Sequence, residues 1–432
     1  MFWSLSMSKK QRRPWGVFLA ILLAVFFGSW AGSDKGIFGI TFYSIVDVLG
    51  VVFLNALTLI VVPLVSSSII TGVSRLGGEG LFGRVGGKMF LFYVSTTLLA
   101  ILIGLFFVNL IEPGSSHIAP PISAAEAEQL RAMKEDLMQK GGGTFVNVLI
   151  QIVPSNVLAA FSHGQMLGLI FFSLLFGYAI SKIDPTPSSI LQGFFQGVFQ
   201  AMIRITHIIM KFLSFGVFCL VAKVFMATGL TSLLSVSLFF LTVVAGLAVF
   251  MFIGLPLYLK FIARVSPIRH FKAMAPALVT AFSTSSSAAT LPITIDCVEK
   301  RAGVSNRICS LVVPLGTSIN MSGSALYECV AALFVAQAYG LDISITTQFV
   351  VVLMALITSM GVAGVPSGSL VAILVILRVI GLPPEGIGLF IMVDRLLDMC
   401  RTTVNVFSDS CCAILVARSE GEQGVLTKEA FE

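Results

Sequence analysis

Long apolar runs, separated by short basic or Gly- and Pro-rich breaks, make up nearly the whole chain. Runs at about 14–32, 42–72, 87–111, 146–182, 190–226, 231–262, 304–338 and 385–417 are each long enough to cross a hydrocarbon core as helices, which takes about 20 residues. Two further apolar stretches break in the middle. "APALVTAFSTSSSAATLPITIDCVEK" is interrupted by serines and a proline at 285–292, and "ITTQFVVVLMALITSMGVAGVPSGSLVAILVILRVIG" by glycines, serines and a proline at 361–369. Lipid offers no hydrogen-bond partners, so broken backbone at that depth must be buried in protein or line a cavity. Each stretch therefore reads as a re-entrant helical hairpin. Paired interrupted segments in the two halves of a chain point to a transporter's binding site. The predicted class is an all-α polytopic membrane protein with eight transmembrane helices and two re-entrant hairpins.

Composition supports this class. Of 432 residues 56% are hydrophobic and 11% charged, where a soluble domain has about a quarter charged. The stretch "KKQRRPWGVFLAILLAVFFGSWAGS" has the basic flank and apolar run of a cleaved leader, but with so many spans following it reads as the first of them. Seven cysteines lie in or beside apolar segments without metal-ligand spacing, and Cys411 and Cys412 adjoin, so all seven read as reduced packing residues. The net charge of +6 comes largely from basic loops; no basic face interleaved with aromatics points to nucleic acid.

Those loops set an orientation. Lys9, Lys10, Arg12 and Arg13 precede the first span, Arg75, Arg84 and Lys88 follow the second, and Lys260, Arg264, Arg269 and Lys272 follow the sixth. Segment 113–145 has no positive bias. A cytoplasmic N-terminus satisfies the positive-inside rule, and eight crossings return the C-terminus to the same side.

The most charged apolar run is "DRLLDMCRTTVNVFSD". On a helix, Asp394, Asp398, Arg401, Thr402, Asn405 and Asp409 fall within an arc of roughly 100°, with apolar residues over much of the rest. A charge at the centre of a membrane helix costs about 2.5 to 3.5 kcal/mol. A salt bridge between Asp398 and Arg401, one turn apart, accounts for one pair and leaves Asp394, Asn405 and Asp409 for other work. Upstream, Pro314, Gly316 and Gly323 flank Asn320, predicting a helix that unwinds and turns carbonyl oxygens inward as cation ligands. Asn320, Asn405 and Asp409 then form a candidate sodium site. Glu328 lies two turns beyond Asn320; a buried carboxyl with no cation nearby favours its protonated form, which suits a proton carrier, although a satisfied buried glutamate is an equal reading.

Six segments in order, "LIVVPLVSSSIITGVSRL", "VPSNVLAAFSHGQMLGLIFFSLLFG", "TSSSAATLP", "SINMSGSALYE", "GVAGVPSGS" and "VDRLLDMCRTTVNVFSD", resemble the dicarboxylate/amino acid:cation symporter family, and the resemblance covers nearly the whole chain. It implies an elevator-type transporter with inverted repeats, a homotrimer in the plasma (inner) membrane. It also implies scaffold segments at 1–75 and 146–226, an extracellular loop at 113–145, and a mobile transport domain made of 76–112 and 227–432.

The same resemblance assigns roles. Arg401 matches the arginine that holds a substrate's side-chain carboxylate, with Ser324 where a threonine usually assists. Asp398 matches the amino-group acceptor, and Asn405 and Thr402 further substrate contacts. Ser286, Ser287 and the Val365 backbone lie at the hairpin tips that hold the main carboxylate. Asp409, Asn405, Asn320 and the Gly316 backbone match one sodium site; carbonyls around Ser318, Met321, Ser359, Met360 and Val362 match a second. Tyr93, Thr96, Thr97 and Asn320 match a third, but Ser322 replaces its usual aspartate, which implies weak or absent sodium binding there. Glu328 matches a proton-carrying glutamate.

The expected function is therefore uptake of glutamate or aspartate coupled to sodium, protons or both. A C4-dicarboxylate carrier is the alternative: Asp398 argues against it, while Asp394 and Arg395 in "VDR" resemble such carriers. An intramembrane enzyme using Ser283 to Ser287 would need a base, and His117, His163, His207 and His270 show no paired motif. Paired hairpins argue for occlusion rather than a continuous channel.

Overall fold

The computed structural model describes residues 15–32, 35–37, 40–76, 81–115, 153–162, 166–228, 232–341, 344–360 and 368–426. Among these, regular structure is helical apart from one antiparallel pair of two-residue strands, Gly36–Ile37 with Ile40–Thr41. That pair is a small departure from the all-α expectation, formed where β-branched residues precede the second helix.

Helix α1 is Trp15–Ala31. The next apolar run is two helices, α2 (Phe42–Leu59) and α3 (Val61–Leu76), broken at Ile60 just before Pro63, whose missing N–H is tolerated in a first turn. Helix α4 (Leu81–Ile111) is continuous; α5 (Val157–Ser162) and α6 (Met166–Ile180) follow. The expected 190–226 span is likewise two helices, α7 (Pro185–Ile209) and α8 (Leu213–Thr228), joined by the 3-10 turn Met210–Phe212. Helix α9 (Ser232–Val249) runs into two π turns, Phe250–Gly254 and Tyr258–Ile262, on either side of Leu255–Leu257. Pro256, which cannot donate to the regular ladder, sits between them.

The chain then forms α10 (Pro267–Thr284), α11 (Ser287–Asp296), α12 (Asn306–Ile319), α13 (Ser322–Ala338), α14 (Ile345–Ser359), α15 (Gly368–Val379) and α16 (Ile391–Ser419). Among the described residues four helical stretches are long and apolar enough to cross a membrane: Phe42–Ser74, Val85–Ile111, Leu234–Ile262 and Asn306–Ala338.

Helix α13 is the axis of the fold. Every residue in it except Gln337 is buried, and α4, α9, α14, α15 and α16 surround it. A second group packs chiefly among itself, with α1 and α2 against α8 and α3 against α6 and α7, and touches the first where α8 meets α16 and α3 meets α4. Outer faces carry exposed Leu22, Phe26, Leu91, Phe106, Leu241 and Phe252, while hydroxyls such as Thr96, Thr97, Ser322 and Ser408 are buried. An apolar exterior, with polar groups buried inside a largely apolar core, suits a lipid surrounding.

Both interrupted stretches are helix pairs. Arms α10 and α11 meet at Ser285, whose left-handed backbone (φ 49°, ψ 37°) reverses the chain, and the Ser286 side chain caps α11 by accepting from the Ala289 N–H (3.2 Å). The start of α10 is bolted to α16, since His270 Nε2 and Ser410 Oγ share a hydrogen bond of 2.9 Å. The tail beyond α16 adds to this. Leu426 N–H donates to the Ala302 carbonyl (2.9 Å), Arg269 donates to the Leu426 carbonyl (3.1 Å), and Glu422 accepts from the Ser305 N–H (3.1 Å). Arms α14 and α15 pack on each other and on α13. Their junction, including Val362 and Val365, lies outside the described residues.

Candidate functional site

The site begins where one helix stops and another starts. After Pro314 and Gly316, α12 ends, and Asn320 (φ −97°, ψ 69°) and Met321 (φ −96°, ψ 51°) leave helical geometry. Helix α13 then lacks a capping oxygen of its own, because methionine stands at its N-cap. Asn405 supplies one from α16: its Oδ1 accepts the N–H groups of Gly323 (2.8 Å) and Ser324 (3.4 Å), and its Nδ2 donates to Ser324 Oγ (3.2 Å). Gly323 permits this approach; a Cβ there would stand 3.0 Å from the Arg401 carbonyl oxygen. The Asn405 side-chain oxygen, read from sequence as a cation or substrate ligand, is thus engaged in capping.

Beneath the break lies a cluster built on Asn320. Its Nδ2 donates to Asp409 Oδ1 (2.9 Å) and Ser408 Oγ (3.1 Å); its Oδ1 accepts from Ser322 (3.0 Å), Thr97 (3.4 Å) and Thr96 (3.5 Å). Ser322 Oγ also meets Thr97 Oγ1 (3.0 Å) and Ser408 Oγ (3.2 Å). These neutral hydroxyls satisfy one another. Asp409 differs: it is 1% exposed and its Oδ2 has no hydrogen-bond partner among the described residues. Gly316 makes room for it, since a Cβ there would sit 2.5 Å from Asp409 Oδ1 and 3.2 Å from Tyr93 Oη. Tyr93 itself donates to the Val312 carbonyl (2.5 Å). The donor set fits a hard monovalent cation at the Asp409 carboxylate better than at Ser322, whose own oxygen neighbours are neutral.

On the same stripe of α16, Arg401 is 1% exposed. Its Nη2 donates to Asp394 Oδ1 and Asp398 Oδ1, both at 3.0 Å, and its guanidinium carbon lies 3.8 Å from the Tyr327 ring centroid. Tyr327 Oη donates to Asp394 Oδ1 as well (2.9 Å). Asp394, which the simple salt-bridge reading left over, therefore has a place: with Tyr327 it positions the arginine. Arg401 Nε and Nη1 have no hydrogen-bond partner among the described residues. A guanidinium held on one nitrogen, with further N–H groups buried and uncommitted, has the donors to pair with a carboxylate.

Glu328 is wholly buried on α13. Thr358 at the end of α14 donates to its Oε2 (2.9 Å), Ser369 at the start of α15 stands beside it, and Oε1 has no partner among the described residues. One carboxyl group thus meets both the end of α14 and the start of α15.

The remaining nominated residues are spread around this centre. Thr402 is buried on the Arg401 stripe, and Ser287 is buried at the start of α11, which packs on α16. The Ser286 hydroxyl is used as a cap, whereas Ser285 Oγ is buried without a partner among the described residues. Ser359 is buried. Ser318 and Met360 line a separate cavity of about 210 Å³ between α3, α7 and α12, with Ser68, Thr71, Gln196 and Gln200. Sequence reasoning missed Tyr327, Thr358 and Ser408. Each adjoins a residue the sequence did single out, Tyr327 next to Glu328, Thr358 next to Ser359 and Ser408 next to Asp409, but the partner each one reaches is set by tertiary packing.

An apolar helical exterior around a buried centre of acids, arginine and hydroxyls at helix breaks defines an all-α membrane transporter. Comparison with known proteins gives the family. A model of the sodium:dicarboxylate symporter family matches residues 15–419, and the chain belongs to that family. It is 34% identical to the proton/sodium-glutamate symport protein of Bacillus caldotenax over 94% of both chains. It is 31% identical to the proton/glutamate-aspartate symporter of Escherichia coli (strain K12), over 94% of this chain and 92% of that one. With excitatory amino acid transporter 3 of Mus musculus the identity is 35%, over 84% of this chain and 76% of that one.

Proposed function

We propose that this chain is a secondary active symporter that takes up an acidic amino acid, glutamate or aspartate, together with sodium ions, protons or both. One observation carries the reading: Arg401 is buried between Asp394 and Asp398 with Nε and Nη1 uncommitted among the described residues. Those donors hold the substrate's side-chain carboxylate, and Asp398 receives its ammonium. Asp409, just over two turns further along α16 and held by the Asn320 amide, binds a sodium ion through its uncommitted Oδ2, and Ser322 leaves the neighbouring hydroxyl cluster without the charge a further sodium would need. Glu328 carries a proton between the arms of the second hairpin.

The packing supports an elevator in which α4, α9 to α16 and both hairpins move as one body against α1 to α3 and α6 to α8. This division corresponds to scaffold segments 1–75 and 146–226 and a transport domain of 76–112 and 227–432. The assembly is a homotrimer in the plasma membrane with eight spans, re-entrant hairpins and both termini cytoplasmic. The chain reads as a carrier rather than an enzyme, and His270 hydrogen-bonds Ser410 on α16.

The test is uptake into proteoliposomes with sodium and pH gradients set independently, labelled aspartate competing with glutamate, succinate and serine. Accumulation against its own gradient, inhibited by glutamate and driven by either ion, is expected. Uptake blocked by succinate and indifferent to both amino acids overturns the substrate assignment.

A further inference from the structure

We propose that Arg395 is a specificity-determining residue: by pairing with Asp398 it stands in for a substrate ammonium, and so sets how well the site accepts C4-dicarboxylates that lack an amine beside acidic amino acids. The inference rests on the acidic-substrate reading above.

Asp398 lies between two guanidiniums of its own helix. Its Oδ1 accepts Arg401 Nη2 at 3.0 Å, and its Oδ2 faces Arg395 Nη1 at 3.5 Å. The two arginines are not equivalent. Arg401 is fully buried, stacked on Tyr327 and shared with Asp394, so it is fixed. Arg395 makes the longer contact and keeps 18% of its side chain exposed, so it is the partner an arriving cation displaces.

From 394 to 401 the charged side chains are Asp394, Arg395, Asp398 and Arg401, two of each sign. An ammonium that binds Asp398 must therefore compete with Arg395. A dicarboxylate without an amine meets an Asp398 already neutralised, and it binds Arg401 without the repulsion a bare carboxylate would impose. Removing the Arg395 charge leaves the group net negative by one. That change favours the ammonium and disfavours the amine-free acid, so the two substrate classes respond in opposite directions.

The experiment uses wild type, Arg395→Gln, Arg395→Ala and Arg395→Lys in proteoliposomes, measuring the KM for labelled aspartate and the Ki of succinate against it. For Gln and Ala the aspartate KM falls and the succinate Ki rises, so the ratio Ki/KM increases by about fivefold, the factor a modest ion pair supplies. Lysine keeps the charge and holds the ratio near the wild-type value. Displacement of labelled aspartate from detergent-solubilised protein reads the same ratio without transport, and thermal melting confirms that the variants are folded. Parallel changes in KM and Ki, with an unaltered ratio in folded Gln and Ala variants, overturn the proposal. A wild type that neither takes up aspartate nor responds to succinate instead overturns the functional reading on which it rests.

Discussion

Arg401 and Tyr327, on different helices, converge on the same oxygen: each donates to Asp394 Oδ1, at 3.0 and 2.9 Å, while the guanidinium lies 3.8 Å from the tyrosine ring centroid. The ring is a wall behind the cation, and the phenol fixes the acid that fixes the arginine. Tyr327→Phe keeps the wall and loses the phenol hydrogen bond; the aspartate KM rises by about tenfold, the range of a hydrogen bond to a charged group. Tyr327→Leu also loses the cation–π contact and raises it further. Initial-rate kinetics of the two variants check the order.

Gly316 sits where any side chain would strike Asp409. A Cβ 2.5 Å from Asp409 Oδ1 must move the carboxylate or the α12 backbone. Gly316→Ala therefore raises the sodium concentration for half-maximal uptake by about tenfold or more, the cost of shifting one charged ligand, with a smaller effect on aspartate KM at saturating sodium. Sodium titration of uptake separates the two; a loss confined to aspartate KM would place Asp409 outside the cation path.

The hydroxyls of Thr96, Thr97, Ser322 and Ser408 gather around Asn320 and carry no formal charge of their own. Placing a carboxylate there by Ser322→Asp creates a place for one more cation. The sodium dependence of uptake steepens, its Hill coefficient rising by about one, and uptake at low sodium falls. An unchanged Hill coefficient in a folded variant contradicts the site.

Glu328 accepts from Thr358 and touches both arms of the second hairpin. If its proton travels with substrate, wild-type uptake declines as pH rises and the carboxyl loses that proton. Glu328→Gln mimics the protonated acid permanently: uptake persists at alkaline pH and its pH profile flattens. Initial rates across the neutral and alkaline range decide, and a profile that keeps its wild-type slope assigns the proton elsewhere.

Much of this arrangement is legible in the sequence because local rules dictate it. Pro314, Gly316 and Gly323 predict the break at Asn320, the serine run predicts the reversal at Ser285, and the α-helical period puts Asp394, Asp398, Arg401, Asn405 and Asp409 on one face. Pairing across that face is harder to read. Asp394 and Arg401 are seven residues apart, two turns on the same stripe, and the same spacing permits either their ion pair or separate ligands. Asn405 turns its oxygen to the N-terminus of α13 only because Met321 cannot cap it, a demand set by a helix eighty residues away. The bolting of α10 to α16 through His270, and of the 420–426 tail to α10 and to residues 302–305 through Arg269, Glu422 and Leu426, uses residues ordinary in sequence and specific only once packed.

The central claim is that Arg401 keeps donors in reserve for a substrate carboxylate, and it is tested most directly by comparing labelled-aspartate binding to wild type and to Arg401→Lys in detergent, alongside melting temperature. Lysine preserves the charge that Asp394 and Asp398 require but not the planar fork, so the melting temperature stays close to wild type while aspartate affinity falls by about a hundredfold. Aspartate binding at wild-type affinity in the folded lysine variant would contradict the account.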